Sequence, residues 1–402
     1  MSKTSQLDGQ MTELDLGAAG EGHPVDDQQE LQGTSQGASI DAAPRVLLAC
    51  EWFVKYTAGL ARGLIDVGCD VTLLTRDHDI EFGGEPGAMR AFVSRTLDGA
   101  GRHLELAGRV RDPEALPEMV RLRRRLDAWR PDFVHIQDSL THDMRLAVAA
   151  GFPRRHYAVT VHDPAPHPGD PQPPWRIRTV RRELRRHADL VFVHSEGMVE
   201  ELRASDHARR AVEVVPHGFG AADIAPFPAQ PTLLFFGRIS HYKGVDTLLD
   251  AMPIVWESQP AVTLTIAGSG QMPSSPALAD PRVTVRQEHV REEELPGLFA
   301  ASTAVVLPYR QASQSGVGSE AKQYGRPVIA TDVGGLPELV GSDAGRIVPA
   351  ENPQALAAAI IEVVGTPGLA ADLGRHGAES GAEAGWDVVG ARTLAAYRRY
   401  LA

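Results

Sequence analysis

The sequence predicts an α/β protein made of two successive doubly wound domains that face a central cleft. Three observations carry this. Short, continuous apolar runs of four to six residues recur with helical patterns between them, as in parallel strands covered on both faces. The rhythm is interrupted once, by a Gly/Pro/Ala-rich stretch from Pro216 to Pro231, and then restarts. The chain has 402 residues, of which 43% are hydrophobic and 23% charged, enough for two domains of ordinary size.

Residues 1–44 open the chain with eight acidic residues against one lysine and no sustained apolar period, and read as a disordered acidic tail. The first domain is expected over 45–216. Val46–Cys50 is a buried strand, a helical pattern runs through Leu60, Leu64 and Val67 to Gly68, and Val71–Leu74 is the next strand. This is a β-α-β unit. Further strands are expected at Phe133–Ile136, His156–Val161, Leu190–Val193 and Val212–Val215. A linker over 217–231 leads to a second domain over 232–385. Its expected strands are Leu233–Phe236, Val262–Ile266, Val283–Val285, Ala304–Leu307, Val328–Ala330 and Gly345–Val348. Helices fit Val245–Trp256, Glu292–Ala301 and Pro353–Val364, and a last helix over 386–402 is assigned back to the first domain.

The net charge of −12 argues against a general nucleic-acid binder. No apolar run reaches the roughly 18–20 residues of a membrane span, and no secretory signal pattern opens the chain. The two cysteines, Cys50 and Cys69, lie among apolar residues, so a reducing cytoplasm is expected rather than a disulfide framework. Two arginine-dense segments, Arg121–Arg130 and Arg176–Arg186, suit helices with solvated basic faces. The other reading is contact with an anionic lipid face or a phosphorylated acceptor, which would place the protein peripherally at the inner membrane face.

In doubly wound sheets ligands bind beyond the carboxyl ends of the strands. Phe235 to Gly244 reads FFGRISHYKG: strand, glycine turn, helix start. Gly237 permits close backbone approach, and Arg238 and Lys243 offer a planar fork and a point charge to a diphosphate. Leu307 to Ala321 reads LPYRQASQSGVGSEA, a small turn through Ser315, Gly316 and Gly318 before a helix carrying Glu320. Backbone amides at such a start attract anions. A third block, YGRPVIATDVGGLPEL from Tyr324, has no obvious chemistry and reads as structural. In the first domain His162, Asp163, His167 and Asp170 follow a strand, as do His135, Gln137 and Asp138, while His217 sits at the linker. The spacing of the former loop only slightly resembles metal ligands, and no metal or other cofactor is expected.

The three blocks, in this order, resemble the C-terminal domain of retaining family 4 glycosyltransferases, which have the GT-B fold of two Rossmann-like domains. The pieces are GRISHYKG, SGVGSEAKQYGRPVIATDVGGLPELV and AGRIVPAENPQALAAAI, with weaker collinear matches at RPDFVHIQD, AVTVHDPAPHPGD, ADLVFVHSEGMVEEL and VEVVPHG. The resemblance implies that Arg238 and Lys243, with Gly237, hold the diphosphate of a nucleotide-sugar donor. It implies that the amides of Ser315, Gly316 and Val317 meet phosphate and sugar, that Glu320 contacts the ribose, and that His162 approaches the donor sugar. A hexose would pass to an acceptor hydroxyl with retention and without metal; the acceptor, a natural product, lipid or glycan, is left open. His162, Arg238 and Lys243 are the candidate catalytic residues. Two departures stand out. Ala312 occupies the place of the first glutamate in the family's Glu-x7-Glu pattern, and the first βα loop, Glu51–Tyr56, lacks the usual Gly-Gly pair. A non-catalytic partner subunit, or another GT-B activity such as an epimerase or phosphorylase, is the rival reading.

Overall fold

A computed structural model describes residues 43–76, 78–106, 115–138, 156–164, 175–204, 211–220 and 223–401. The acidic stretch through Ala42, and with it His167 and Asp170, lies outside the described residues.

The first domain runs β1 (Arg45–Cys50), α1 (Val54–Asp66), β2 (Asp70–Arg76), α2 (Ala88–Leu97), β3 (Arg102–Leu106), α3 (Ala115–Trp129), β4 (Phe133–Gln137), β5 (Ala158–Thr160), α4 (Trp175–His187), β6 (Leu190–Val193), α5 (Glu196–Ala204) and β7 (Ala211–Val214). Its seven strands lie in the order β3-β2-β1-β4-β5-β6-β7. All pairings are parallel; Leu48, for example, stands between Leu73 and His135. Alternate residues of β1 feed two cores. Val46, Leu48 and Cys50 pack with Leu60 and Leu64 of α1, while Leu47 and Ala49 pack with Leu122 and Leu126 of α3 and Leu184 of α4. Burial on both faces is why the strand reads as an unbroken apolar run.

The second domain continues with β8 (Thr232–Phe236), α6 (Val245–Ser258), β9 (Thr263–Ala267), β10 (Val283–Arg286), α7 (Leu295–Ala300), β11 (Ala304–Leu307), α8 (Gly316–Gln323), β12 (Val328–Thr331), α9 (Leu336–Val340), β13 (Gly345–Val348), α10 (Pro353–Gly365) and α11 (Leu369–Gly381). Its six parallel strands take the order β10-β9-β8-β11-β12-β13. In each sheet the order reverses beside the first strand, at β1/β4 and at β8/β11. Those switch points are where loops diverge and leave a crevice.

The last helix, α12 (Trp386–Tyr400), packs on α1 of the first domain. The approach is close enough that a methyl group on Gly63 would overlap the Trp386 carbonyl, so only glycine fits there. Val389, Leu394 and Tyr397 of α12 complete the α1 side of the first core.

Three local results depart from the sequence reading. The expected helix over Glu292–Ala301 is a 3-10 turn, Glu292–Glu294, followed by α7, because Pro296 sits in the first turn of a new helix. Strand β3 was not expected. It is a half-exposed edge whose RHLEL sequence is polar because Arg102 pairs with Asp70 and Glu105 with Arg90. Helix α11 also lacks a place in the sequence reading. Cys50 and Cys69 are both buried free thiols.

Candidate functional site

The turn after β8 and the turn after β11 meet. Gly237 has φ 114°, and its α-carbon faces Val317: a methyl group there would stand 3.5 Å from the Val317 Cγ2. Lys243 Nζ donates to the Tyr309 hydroxyl at 2.8 Å, and that hydroxyl lies 3.5 Å from the Ser315 Oγ. Residues 66 positions apart are thus drawn to one place. Burial lowers the Lys243 pKa; Tyr242 and Asp163 oppose this, and neighbouring Arg238 adds to it. Arg238 is exposed, with its guanidinium 5.7 Å from the Tyr242 ring centroid. Arg310 is set apart: it forks onto Asp246 at 2.9 and 2.7 Å and reaches Glu351, so it braces the turn.

Ser315 caps α8, its hydroxyl accepting from the Gly318 amide at 3.2 Å. The cap fixes the start of the helix, where Gly316 and Val317 present their amides. One turn on, Glu320 has a buried Oε2 with no hydrogen-bond partner. Burial pushes its carboxyl up to about 7, with Lys55 opposing and Glu292 adding. The Oε1 atoms of Gln311 and Gln314 are likewise buried without a partner. Ala312 itself is buried at 5% exposure.

The third sequence block proves to support this loop. Gly334 has φ 53°, and a methyl group there would collide with the Ala312 carbonyl. The Gly335 amide donates to the Ser313 carbonyl at 3.2 Å. The Gly-Gly turn therefore clamps the Ala312–Ser313 backbone, a role with no signature in the side-chain chemistry of the sequence.

In the first domain His162 is 1% exposed and stacks on Phe53 at 3.8 Å between ring centroids. Its Nδ1 lies 3.1 Å from His194 Nε2, and its Nε2 lies 2.8 Å from the Gln137 amide. His194 Nδ1 donates to the Val215 carbonyl at 3.0 Å. Burial lowers both histidines, so both are neutral. The carbonyl therefore assigns every proton: His194 accepts at Nε2, His162 donates from Nδ1 and accepts at its own Nε2. The Gln137 amide nitrogen must then face His162. That orientation also satisfies the Gln137 nitrogen, which is otherwise buried without a partner. Both His162 nitrogens are thereby engaged within the protein.

His135 is bound at both nitrogens too, at 2.6 Å from the Tyr397 hydroxyl and 2.6 Å from Thr160 Oγ1. His217 turns its ring toward the Ser315–Val317 turn: a methyl group on Gly316 would lie 3.8 Å from its Cε1. Asp138 is buried between Arg181 and Arg185, which also donate to the Asp163 carbonyl, and Arg185 reaches the Pro164 carbonyl. This cluster holds the Asp163 and Pro164 backbone in place.

The start of α1 contains residues that the sequence did not single out. Phe53 takes a left-handed conformation, φ 61°, at the helix entry. The Val54 amide donates to Glu81 Oε2 at 2.8 Å and the Lys55 amide to Glu81 Oε1 at 3.3 Å. A half-buried carboxylate thus fills the anion-attracting end of α1. Lys55 crosses to the second domain and pairs with Glu292. Arg95 and Glu293 pair beside it at 3.3 Å. Glu81 lies 27 residues beyond Val54, and nothing local in the sequence marks the pairing. Among the described residues no group of three or more His, Cys, Asp or Glu is placed to hold a metal ion.

Residues 54–218 match the glycosyl transferase 4-like domain, and residues 230–366 match the family described as glycosyl transferases group 1. D-inositol 3-phosphate glycosyltransferase of Segniliparus rotundus is 26% identical over 305 residues, covering 68% of either chain. Among solved structures, sucrose-phosphate synthase from Thermosynechococcus elongatus superposes with a TM-score of 0.69 at 21% identity, over 89% of this chain and 99% of that one. Anabaena HepE, in complex with UDP and glucose, superposes with a TM-score of 0.66 at 16% identity, over 89% and 100%. Two parallel sheets wound in the same order, with both halves of the chain matched in sequence, make this protein a GT-B enzyme of the group 1, family 4-like glycosyltransferases.

Proposed function

We propose that the protein transfers a hexose from a nucleoside diphosphate sugar to an acceptor hydroxyl, with retention at the anomeric carbon and without a metal ion. The observation that carries this is the convergence of Lys243, Tyr309 and Ser315 beside Gly237 and Val317. Breaking the anomeric C–O bond leaves negative charge on the diphosphate. Lys243 and Arg238 neutralise it, and the first amides of α8 add preorganised donors that need no rearrangement as charge grows. Glu320, with an unpartnered oxygen, accepts from the ribose hydroxyls. Gln311 and Gln314 offer buried carbonyl oxygens to hexose hydroxyls, in the neighbourhood where Ala312 supplies no carboxylate.

In this reading His162 shapes the sugar-facing wall rather than shuttling a proton, since both its nitrogens are engaged. The acceptor proton passes to the departing phosphate oxygen on the same face, so no enzymic base is required. The diphosphate is held by the second domain, because Glu81 occupies the end of α1. The relatives supply precedents for the donor: HepE was solved with UDP and glucose. A cytoplasmic location is part of the same reading. Incubating the purified protein with UDP- and GDP-hexoses and following nucleotide release tests it. Release stimulated by an acceptor, unchanged by chelator, with an α-linked product from an α-linked donor, is the expected outcome. An inverted product or chelator-sensitive turnover would overturn retention or metal independence.

A further inference from the structure

A cavity of about 390 Å³ opens between the two domains, where the turns after β6 and β7 face those after β11 and β12. It falls within the roughly 300–1,000 Å³ usual for small-molecule sites, and lies beyond the carboxyl ends of strands from both sheets. Its walls include His194, Ser195 and His217 from the first domain and Gln314, Ser315 and Ser319 from the second. Gln314 and Ser315 also belong to the proposed donor site, so the cavity and that site share a wall. A methyl group on Gly316 would lie 3.9 Å from His217 Nε2, which puts this nitrogen beside the same turn.

The polar lining accepts more readily than it donates. His217 donates from Nδ1 to the Gly218 carbonyl at 3.0 Å. Burial lowers its pKa to about 3, so the ring is neutral and Nε2 is left as an acceptor. Gln314 Oε1 is buried without a partner. Lys322 is already committed to the Leu339 carbonyl at 3.0 Å, and the Ser319 hydroxyl to the Ser315 carbonyl at 3.4 Å. At the exposed rim stand Glu338, Asp343 and Glu383, with Arg392 as the cation among them. Glu338 also accepts from the Glu196 amide across the domains at 3.3 Å. Phe219 and Leu339 add an apolar patch on which the C–H face of a ring can rest. Such a lining satisfies hydroxyl and ammonium groups and repels a phosphate.

We infer that this cavity is the acceptor site, and that the acceptor is a polyhydroxylated molecule without a phosphate group: a neutral or amino-substituted sugar or cyclitol. The inference rests on the proposed transfer reaction and names the class of its second substrate. His217 and Gln314 take hydroxyls of the acceptor from opposite domains, so the acceptor is held only while the domains face each other.

Saturation-transfer NMR on the full chain, loaded with UDP or GDP, tests this. The probes are methyl α-glucoside, glucosamine and myo-inositol, set against phosphate monoesters of the same rings. At least one unphosphorylated probe should show transfer, in preference to every phosphorylated one. Ser380 is exposed and lines the cavity, so Ser380→Trp should abolish that transfer by filling the space; retained nucleotide binding reports that the variant is folded. Glu383→Lys should improve binding of the phosphorylated probes relative to the others. Preference for a phosphorylated probe, no transfer to any probe, or transfer unchanged in both variants would overturn the inference. Failure of wild type to bind either nucleotide would instead overturn the functional reading beneath it.

Discussion

Lys243→Met should separate activity from stability. In the free protein Lys243 is a half-buried cation whose hydrogen-bond partner is a neutral hydroxyl, Tyr309 Oη at 2.8 Å. The Asp163 carboxylate offsets its burial only in part. Burial therefore lowers its pKa, and the charge weakens the empty fold. A bound diphosphate would add counter-charge of its own. Two unit charges about 4 Å apart at an effective dielectric near 20 attract by roughly 4 kcal/mol. Part of this is realised already in the ground-state complex, so about 3 kcal/mol, or a 10²–10³-fold loss in kcat, is expected. Methionine keeps the stem and removes the charge. Its thermal midpoint without ligand should match or exceed wild type, while nucleotide release falls. The pair of assays is differential scanning fluorimetry without nucleotide and steady-state nucleotide release. Near-normal turnover, or a lowered midpoint without ligand, would refute the reasoning.

Other outcomes follow from the same geometry. Arg238→Ala, removing an exposed residue, should leave stability unchanged and lower nucleotide release by about two orders of magnitude; unaffected release would remove it from the diphosphate site. Glu320→Gln should flatten the pH dependence of stability: a carboxyl raised to about 7 contributes stability below its unfolded pKa that is lost as pH rises through 7, up to about 3 kcal/mol. Equal slopes for variant and wild type between pH 5 and 8 would contradict its burial. His135, His162, His194 and His217 are all lowered by burial, to about 3 for His135 and His217 and about 4 for His194. Their unfolded forms take up protons first, so stability should fall steeply from pH 6.5 downward, by as much as ~5 kcal/mol per pH unit; a thermal midpoint constant from pH 6.5 to 5 would argue against it. Gly63→Ala should wedge α1 from α12 and destabilise by roughly 2 kcal/mol or more, and an unchanged midpoint would contradict that packing.

Much of the architecture was legible because parallel strands buried on both faces write themselves as apolar runs. Val46–Cys50 and Ala304–Leu307 are examples, and their loops follow directly. Strand β3 was hidden because an edge strand with charged partners on its flank has no such run. The second-domain half of the candidate site was legible because its chemistry sits within short turns after β8 and β11. What sequence could not reveal depends on contacts across long separations. The proton chain from Val215 through His194 and His162 to Gln137 needs four segments to meet. The Glu81 cap on α1 and the Lys55–Glu292 pair span 27 and 237 positions. The Gly334 clamp on Ala312 is a backbone contact, visible only once the turn and the loop are side by side.

The central claim is that the second domain holds a nucleoside diphosphate through Arg238, Lys243 and the Ser315–Val317 turn. Titration of UDP and GDP into wild type and into an Arg238→Ala/Lys243→Met double variant tests it most directly. The account predicts saturable binding of at least one nucleotide by wild type, weakening as salt is raised, and its loss in the double variant while the fold persists. No binding by wild type, or equal affinity in the double variant, would contradict it.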